Sequence, residues 1–274
     1  MKRLKINIWL MAVVVLVCVS AQLSPPKTKP TYVDMITRFG TMRVLLYDET
    51  PLHKANFLKL VREGFYDSLT FHRTMKDYTI QGGDPKTKFA TEDSVVGDGD
   101  LGYTIPAEFR PNLIHKKGAL AAARNVNADF ASNASQFYIV KGRTFEPQEL
   151  KRIENLRNQM IKSNMLYAIT NADSTKARMN DFTLRGDKEG LRKYLSSFQT
   201  YVDSMYNLRG EYKFTKEQIL TYTSIGGIPQ LDSGYTVFGE VISGLNIIDS
   251  IINQPTTKSN RPVNDIRMKI RIVK

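Results

Sequence analysis

Cysteine is almost missing from this chain: Cys18 is the only one in 274 residues, and it falls within an apolar N-terminal run. Once that run is removed, the chain can form no disulfide and has no thiol nucleophile, and an oxidising compartment leaves it unaffected. Histidine is nearly as scarce. His53, His72 and His115 are the three present, no two lie at metal-ligand spacing, and His53 reads as an exposed residue of a first helix, so neither metal nor cofactor is expected. No Gly-x-Ser-x-Gly occurs, which removes the signature of an elbow nucleophile. Gly97-Asp-Gly-Asp-Leu-Gly102 lacks the following Gly-Lys-Thr/Ser of a phosphate loop and the spaced acids of a calcium loop, so it reads as a glycine loop between strands. Basic runs interleaved with stacking aromatics are also absent. The net charge is +12, but its lysines and arginines are spread along the chain, and nucleic acid is not an expected partner.

What is present begins with a targeting pattern. Lys2, Arg3 and Lys5 precede an almost wholly apolar stretch from Ile6 to Val19, and small residues follow through Ala21, so residues 1–21 read as a cleavable signal peptide. Its removal lowers the net charge from +12 to +9. The run is short for a membrane span, and Val17 is a poor neighbour for a lipid-attached Cys18, so membrane contact is expected only through an uncleaved signal. Residues 22–30, with Pro25, Pro26 and Pro30, read as a flexible tether.

From Thr31 the apolar period is two, which predicts a hairpin around Arg38-Phe39-Gly40. Thr50-Pro51 opens a helix expected to bury Leu52, Ala55, Leu58 and Val61, with Gly64 as its stop. Short strands are predicted at 69–73, 79–81, 119–123, 137–140 and 236–241, a helix at 245–252, and a final strand within 266–273. Many short strands with few helices predict a mainly β, closed barrel capped by two helices. Residues 145–224 differ in character. Leu150, Ile153, Leu156, Met160 and Ile161, then Leu191, Leu195, Phe198, Val202 and Met205, recur at helical spacing, and Thr215 with Gln218 fits a capping box. Strands flank this stretch, so it reads as a helical insertion into a domain spanning 31–273.

Four separated motifs then occur in order: Phe71-His-Arg73 with Gln81-Gly-Gly-Asp84, Gly102-Tyr-Thr-Ile-Pro-Ala-Glu-Phe109, Ala134-Ser-Gln-Phe-Tyr-Ile139, and Val237-Phe-Gly-Glu-Val241. Together they resemble the cyclophilin family of peptidyl-prolyl cis-trans isomerases, over about residues 32–144 and 225–273. The resemblance implies a cyclophilin-like eight-stranded antiparallel barrel, with the helical insertion as an addition. It also implies catalysis of Xaa-Pro rotation without covalent chemistry or cofactor. Arg73 would donate to the proline nitrogen, Gln81 would support Arg73, and Gln136 would bond the substrate backbone. The main-chain N–H of Arg124, beside Ala123, would hold a substrate carbonyl, while Tyr78, Tyr138 and Leu231 would line the proline slot with Thr79 and Tyr235 next to it. Thr79, Gln230 and Tyr235 depart from the residues common in the family and make the slot more polar.

The partners expected are proline-containing, unfolded or partly folded polypeptides in a bacterial periplasm, met by a monomer. The alternative is a polypeptide-binding chaperone or interaction module on a weakly active barrel, with the insertion as its gripping surface.

Overall fold

The computed structural model describes residues 29–273; the expected signal segment and the tether up to residue 28 lie outside the described residues. The N-terminal alternation becomes a hairpin of β1 (Thr31–Thr37) and β2 (Gly40–Leu46), followed by α1 (Pro51–Arg62), β3 (Phe71–Thr74) and β4 (Thr79–Gly82). Next come β5 (Thr104–Ile105), β6 (Ala119–Ala122), β7 (Ser132–Asn133) and β8 (Phe137–Val140). After four further helices the chain returns as β9 (Val237–Ser243), α6 (Leu245–Ile252) and β10 (Lys269–Ile272).

Eight strands form one antiparallel sheet in the order β10-β1-β2-β9-β6-β8-β4-β3, while β5 and β7 make a separate two-stranded pair. The sheet curls into a barrel, but its ladder is open between β3 and β10. That seam is stitched rather than laddered, by an isolated bridge between Thr70 and Arg267 and by backbone bonds from Phe71 N to Ile266 O and from Met268 N to Leu69 O. The fully closed ladder expected from strand count therefore needs this correction: the final strand is paired with β1 only over 269–272.

Alternation sends one side chain in two inward, so Val33, Met35, Val44, Leu120, Phe137 and Ile139 fill the barrel. The two ends are covered by α1, through Phe57 and Leu60, and by α6, through Ile247, Ile248 and Ile251. Each such fully buried side chain contributes about 1.5–3 kcal/mol of transfer free energy.

The buried face of α1 differs from the expected one: Leu52 is 49% exposed and His53 only 3%. His53 is drawn inward because its ring and its main-chain N–H both bond the Glu108 carboxylate. Thr50 does not cap the helix with its side chain; Glu108, distant in sequence, accepts from Leu52 N and His53 N instead.

Between β8 and β9 stand α2 (Pro147–Asn171), α3 (Asp173–Leu184), α4 (Lys188–Arg209) and α5 (Lys216–Ser224). The capping box at Thr215 and Gln218 is formed. Segment α3 carries no apolar stripe that would mark it in the sequence, and Thr175 is its only buried residue. The two expected stripes are only partly covered: Leu150, Phe198 and Val202 are buried, but Leu156 and Met160 are 60% and 65% exposed. The helices leave and rejoin the barrel at one point, where Arg143 and Gly227 exchange backbone hydrogen bonds of 3.3 and 2.9 Å. Gly142 there has φ +56°, and a Cβ on it would lie 2.3 Å from Gly227 O, so both close approach and backbone angle demand glycine. Among the described residues no helix is long and apolar enough to cross a membrane.

Candidate active site

Strand register assembles a row of side chains across the outer face of the barrel. Arg73 of β3 pairs with Gln81 of β4, Gln81 with Tyr138 of β8, Tyr138 with Ala121 of β6, and Ala121 with Val237 of β9. Directly paired residues of antiparallel strands point to the same face, and neighbouring strands are about 4.8 Å apart. Residues far apart in sequence thus form a continuous line.

Along that line the surface changes from polar to apolar. Ala119 and Ala121 are small and leave a shallow floor, around which Tyr138, Val140, Ile228 and Val237 are buried. Tyr78, Ala123, Leu231 and Tyr235 pack against the same group as its half-buried rim. Tyr235 meets Tyr138 edge-on, with ring centroids 5.9 Å apart. Thr79, two residues before Gln81 on the same face, is buried and pairs with Val140. The sequence-predicted slot residues are therefore neighbours.

At the polar end, Arg73 is exposed, and its guanidinium has no hydrogen bond or ion pair among the described residues. Together with Gln81 it borders an open cleft of about 420 Å³, walled by residues 92–97, Thr257 and Arg261. The Arg73 charge reaches the Tyr78 hydroxyl, whose pKa burial and Tyr235 raise and Arg73 partly lowers. Arg73 and Tyr78 thus share one environment.

Gln81 does not hydrogen-bond Arg73. Its Nε2 donates to Gln136 Oε1 at 2.9 Å, while Gln136 Nε2 donates to Gly97 O and Gly99 O at 3.1 and 2.7 Å. Gln136, 5% exposed, braces the glycine loop with the amide expected to meet substrate. The same loop is held from its other side by Asp84, which accepts from the N–H groups of Gly97 and Gly99. Arg124 leaves its main-chain N–H without an acceptor among the described residues. Its side chain is not idle: Nε donates to Gly234 O at 2.7 Å, and the guanidinium lies 4.9 Å from the Tyr235 ring centre. The rim tyrosine is thereby fixed.

The cyclophilin type peptidyl-prolyl cis-trans isomerase/CLD family model matches residues 32–153 and 196–272. The chain belongs to this cyclophilin family. A protein of Staphylococcus haemolyticus (strain JCSC1435) that carries the peptidyl-prolyl cis-trans isomerase name is 27% identical over 236 residues, covering 85% of this chain and 86% of its own. A Staphylococcus aureus (strain COL) protein of the same name is 27% identical over 233 residues, with the same coverage. Among solved structures, a cyclophilin type isomerase of Cryptosporidium parvum superposes with TM-score 0.53 at 21% identity, covering 90% of this chain and 99% of that one. That protein was also crystallised in the presence of the dipeptide Ala-Pro, a structure matching with TM-score 0.51.

Two buried networks in this cyclophilin went unnoticed in the sequence. In one, His53 Nδ1 lies 2.7 Å from Glu108 and Nε2 lies 3.0 Å from Ser132 Oγ. Glu108 already accepts two main-chain N–H groups, so His53 donates from Nδ1 and accepts from Ser132 at Nε2. Burial lowers the His53 pKa, with Glu108 opposing, which keeps the ring neutral. This resembles a nucleophilic triad, but Ser132 is 1% exposed and the cavity beside the triad, about 10 Å³, has no room for a substrate. The triad ties α1 to the strand after the Arg124 loop. In the other network, His115 connects Tyr138 to Asp232. Spacings of 55 and 117 residues give no sequence signal for either pair. No group of three or more His, Cys, Asp or Glu is gathered as a metal site among the described residues.

Proposed function

We propose that this cyclophilin catalyses rotation of Xaa-Pro peptide bonds in exported polypeptides and so assists their folding, using Arg73 and the apolar slot without covalent chemistry. The observation that carries this reading is the cross-strand row: an unengaged guanidinium at one end and an alanine-floored, tyrosine-rimmed slot at the other.

A peptide bond is planar because the nitrogen lone pair is delocalised into the carbonyl, with a rotation barrier of about 18–20 kcal/mol. Twisting the bond returns that lone pair to nitrogen. A donor that meets it there stabilises the transition state more than the ground state. Arg73 supplies such a donor with its charge permanently in place. Formed mainly in the transition state, a charge-assisted bond of about 1.5–3 kcal/mol is worth roughly ten- to a hundredfold in rate. The proline ring would occupy the slot of Tyr78, Tyr138 and Leu231, while the free N–H of Arg124 holds a substrate carbonyl still. Gln81 and Gln136 act on the loop at 97–99 and shape the cleft next to Arg73.

An NMR-exchange or protease-coupled assay on a proline peptide tests the mechanism. Arg73→Ala should lower kcat/KM about ten- to a hundredfold with an unchanged melting temperature, since the fold makes no use of the guanidinium. Equal activity in the two proteins would sink it. Export predicts a processed N-terminus after Ala21 in protein recovered from the cell envelope.

The exposed apolar residues of α2 and α4 support a second reading, a polypeptide-holding chaperone. Leu156, Met160 and Leu208 are 60%, 65% and 81% exposed. Replacing all three by serine would then abolish suppression of client aggregation and spare isomerisation of a short peptide.

A further inference from the structure

Leu231, on the rim of the slot, ends a short 3-10 turn, Pro229–Leu231, and is followed by Asp232, which is 5% exposed. The Asp232 carboxylate is held from two sides. Oδ1 accepts both the main-chain N–H and the ring Nδ1 of His115 at 2.9 Å, and Oδ2 accepts the Tyr222 hydroxyl at 2.6 Å. Surrounded by three donors, the Asp232 side chain acts as acceptor and fixes the His115 proton on Nδ1. His115 Nε2 is then an acceptor, and the Tyr138 hydroxyl, 3.0 Å away, donates to it. Consequently the one polar atom of the slot's largest buried ring points away from the slot, and the ring lies nearly parallel to His115, at 17°.

The far end of this chain of hydrogen bonds lies outside the barrel. Tyr222 belongs to α5 and is wholly buried, wedged edge-on between Phe145 and Phe214 at 6.5 and 5.8 Å. Burial, with Asp232 beside it, pushes the pKa of its hydroxyl far up, so it remains a donor. A second helix reaches the same turn: Arg157 of α2 donates to the main-chain oxygen of Asp232 and stacks on Tyr212 at 4.3 Å. Two helices of the 147–224 segment therefore converge on the residue that follows Leu231.

We infer that the helical segment shapes the proline slot, and that Tyr222, Arg157 and His115 are positioning residues for isomerisation, acting through Asp232 on Tyr138 and Leu231. The inference rests on the reading that Tyr138 and Leu231 line the slot. Without the Tyr222 hydroxyl, Oδ2 of Asp232 is a buried acceptor with no donor. The carboxylate then turns to find one, His115 loses its fixed tautomer, and the Tyr138 hydroxyl is released toward the slot.

The experiment uses the full chain with Tyr222→Phe, Tyr138→Phe and the double variant. Losing one buried hydrogen bond should lower kcat/KM for a proline peptide about three- to tenfold in Tyr222→Phe. The same change in the Tyr138→Phe background should cost less than about twofold, because the connecting hydroxyl is already gone. A general loss of stability would lower activity equally in both backgrounds. Long-range 1H–15N spectra give a readout independent of activity: His115 should be the Nδ1–H tautomer in wild type and a mixture in Tyr222→Phe. Arg157→Gln should move the Tyr138 ring signals through the turn at Asp232, and serves if Tyr222→Phe does not fold. An unchanged His115 tautomer with unchanged kcat/KM overturns the inference. If wild type lacks isomerase activity, the isomerase reading falls, and the His115 and Tyr138 signals alone decide the coupling.

Discussion

Acidification should destabilise the folded chain through His72. This residue of β3 is 4% exposed, and burial lowers its pKa to about 4; the carboxylate of Asp84 opposes the shift, while the charges of Arg73 and Arg261 add to it. The unfolded chain binds a proton near pH 6.5 that the folded chain refuses, so this contribution to stability is complete above pH 6.5 and is lost as pH falls toward about 4. At 1.36 kcal/mol per pH unit, the interval amounts to about 3 kcal/mol in all, of which about 2 is gone by pH 5. For a chain of this size that is a fall of roughly 4–8 °C in melting temperature. Urea unfolding at a series of pH values between 7.5 and 4.5 measures it, with His72→Leu as the comparison. Carboxylates and His53 titrate in both proteins, so the difference between the two curves isolates His72. The variant should lose about 2 kcal/mol less between pH 7 and pH 5. Parallel curves would refute the reasoning and place His72 in contact with solvent or a proton acceptor.

Glu108→Ala removes the acceptor of two α1 main-chain N–H groups and of the His53 ring, and should cost about 3 kcal/mol or more, seen as a melting temperature lower by roughly 6–12 °C. Retention of the wild-type melting temperature would mean that water takes over these bonds. Gly142→Ala places a Cβ 2.3 Å from Gly227 O at φ +56°, and should destabilise the junction of barrel and helices by more than about 2 kcal/mol in urea unfolding. Arg124→Ala keeps the main-chain N–H but frees Tyr235, and should lower kcat/KM about threefold to tenfold with little effect on stability. A kcat/KM at the wild-type level would show that Tyr235 holds its place without the arginine.

The sequence alone disclosed most strands, both capping helices and the capping box of α5, because alternation, helical spacing and turn residues are local signals. It disclosed Arg73, Gln81 and Tyr138 as candidates one by one, each through a short motif of neighbouring residues that resembles the cyclophilin family. Register decided that these three, with Ala121 and Val237, form a single row, since pairing β3, β4, β8, β6 and β9 depends on how the whole sheet curls. The same dependence hid the partner of Gln81, which is Gln136 rather than Arg73. It also hid the buried face of α1: helical spacing placed Leu52 inside, but the Glu108 side chain, brought over from the loop before β6, pulled His53 in instead. Burial of a polar group is decided by whether a partner arrives to satisfy it, and partners 55 or 117 residues away arrive only through tertiary structure. What local sequence determined was the elements and the chemistry each carries; what folding alone decided was which of those groups meet.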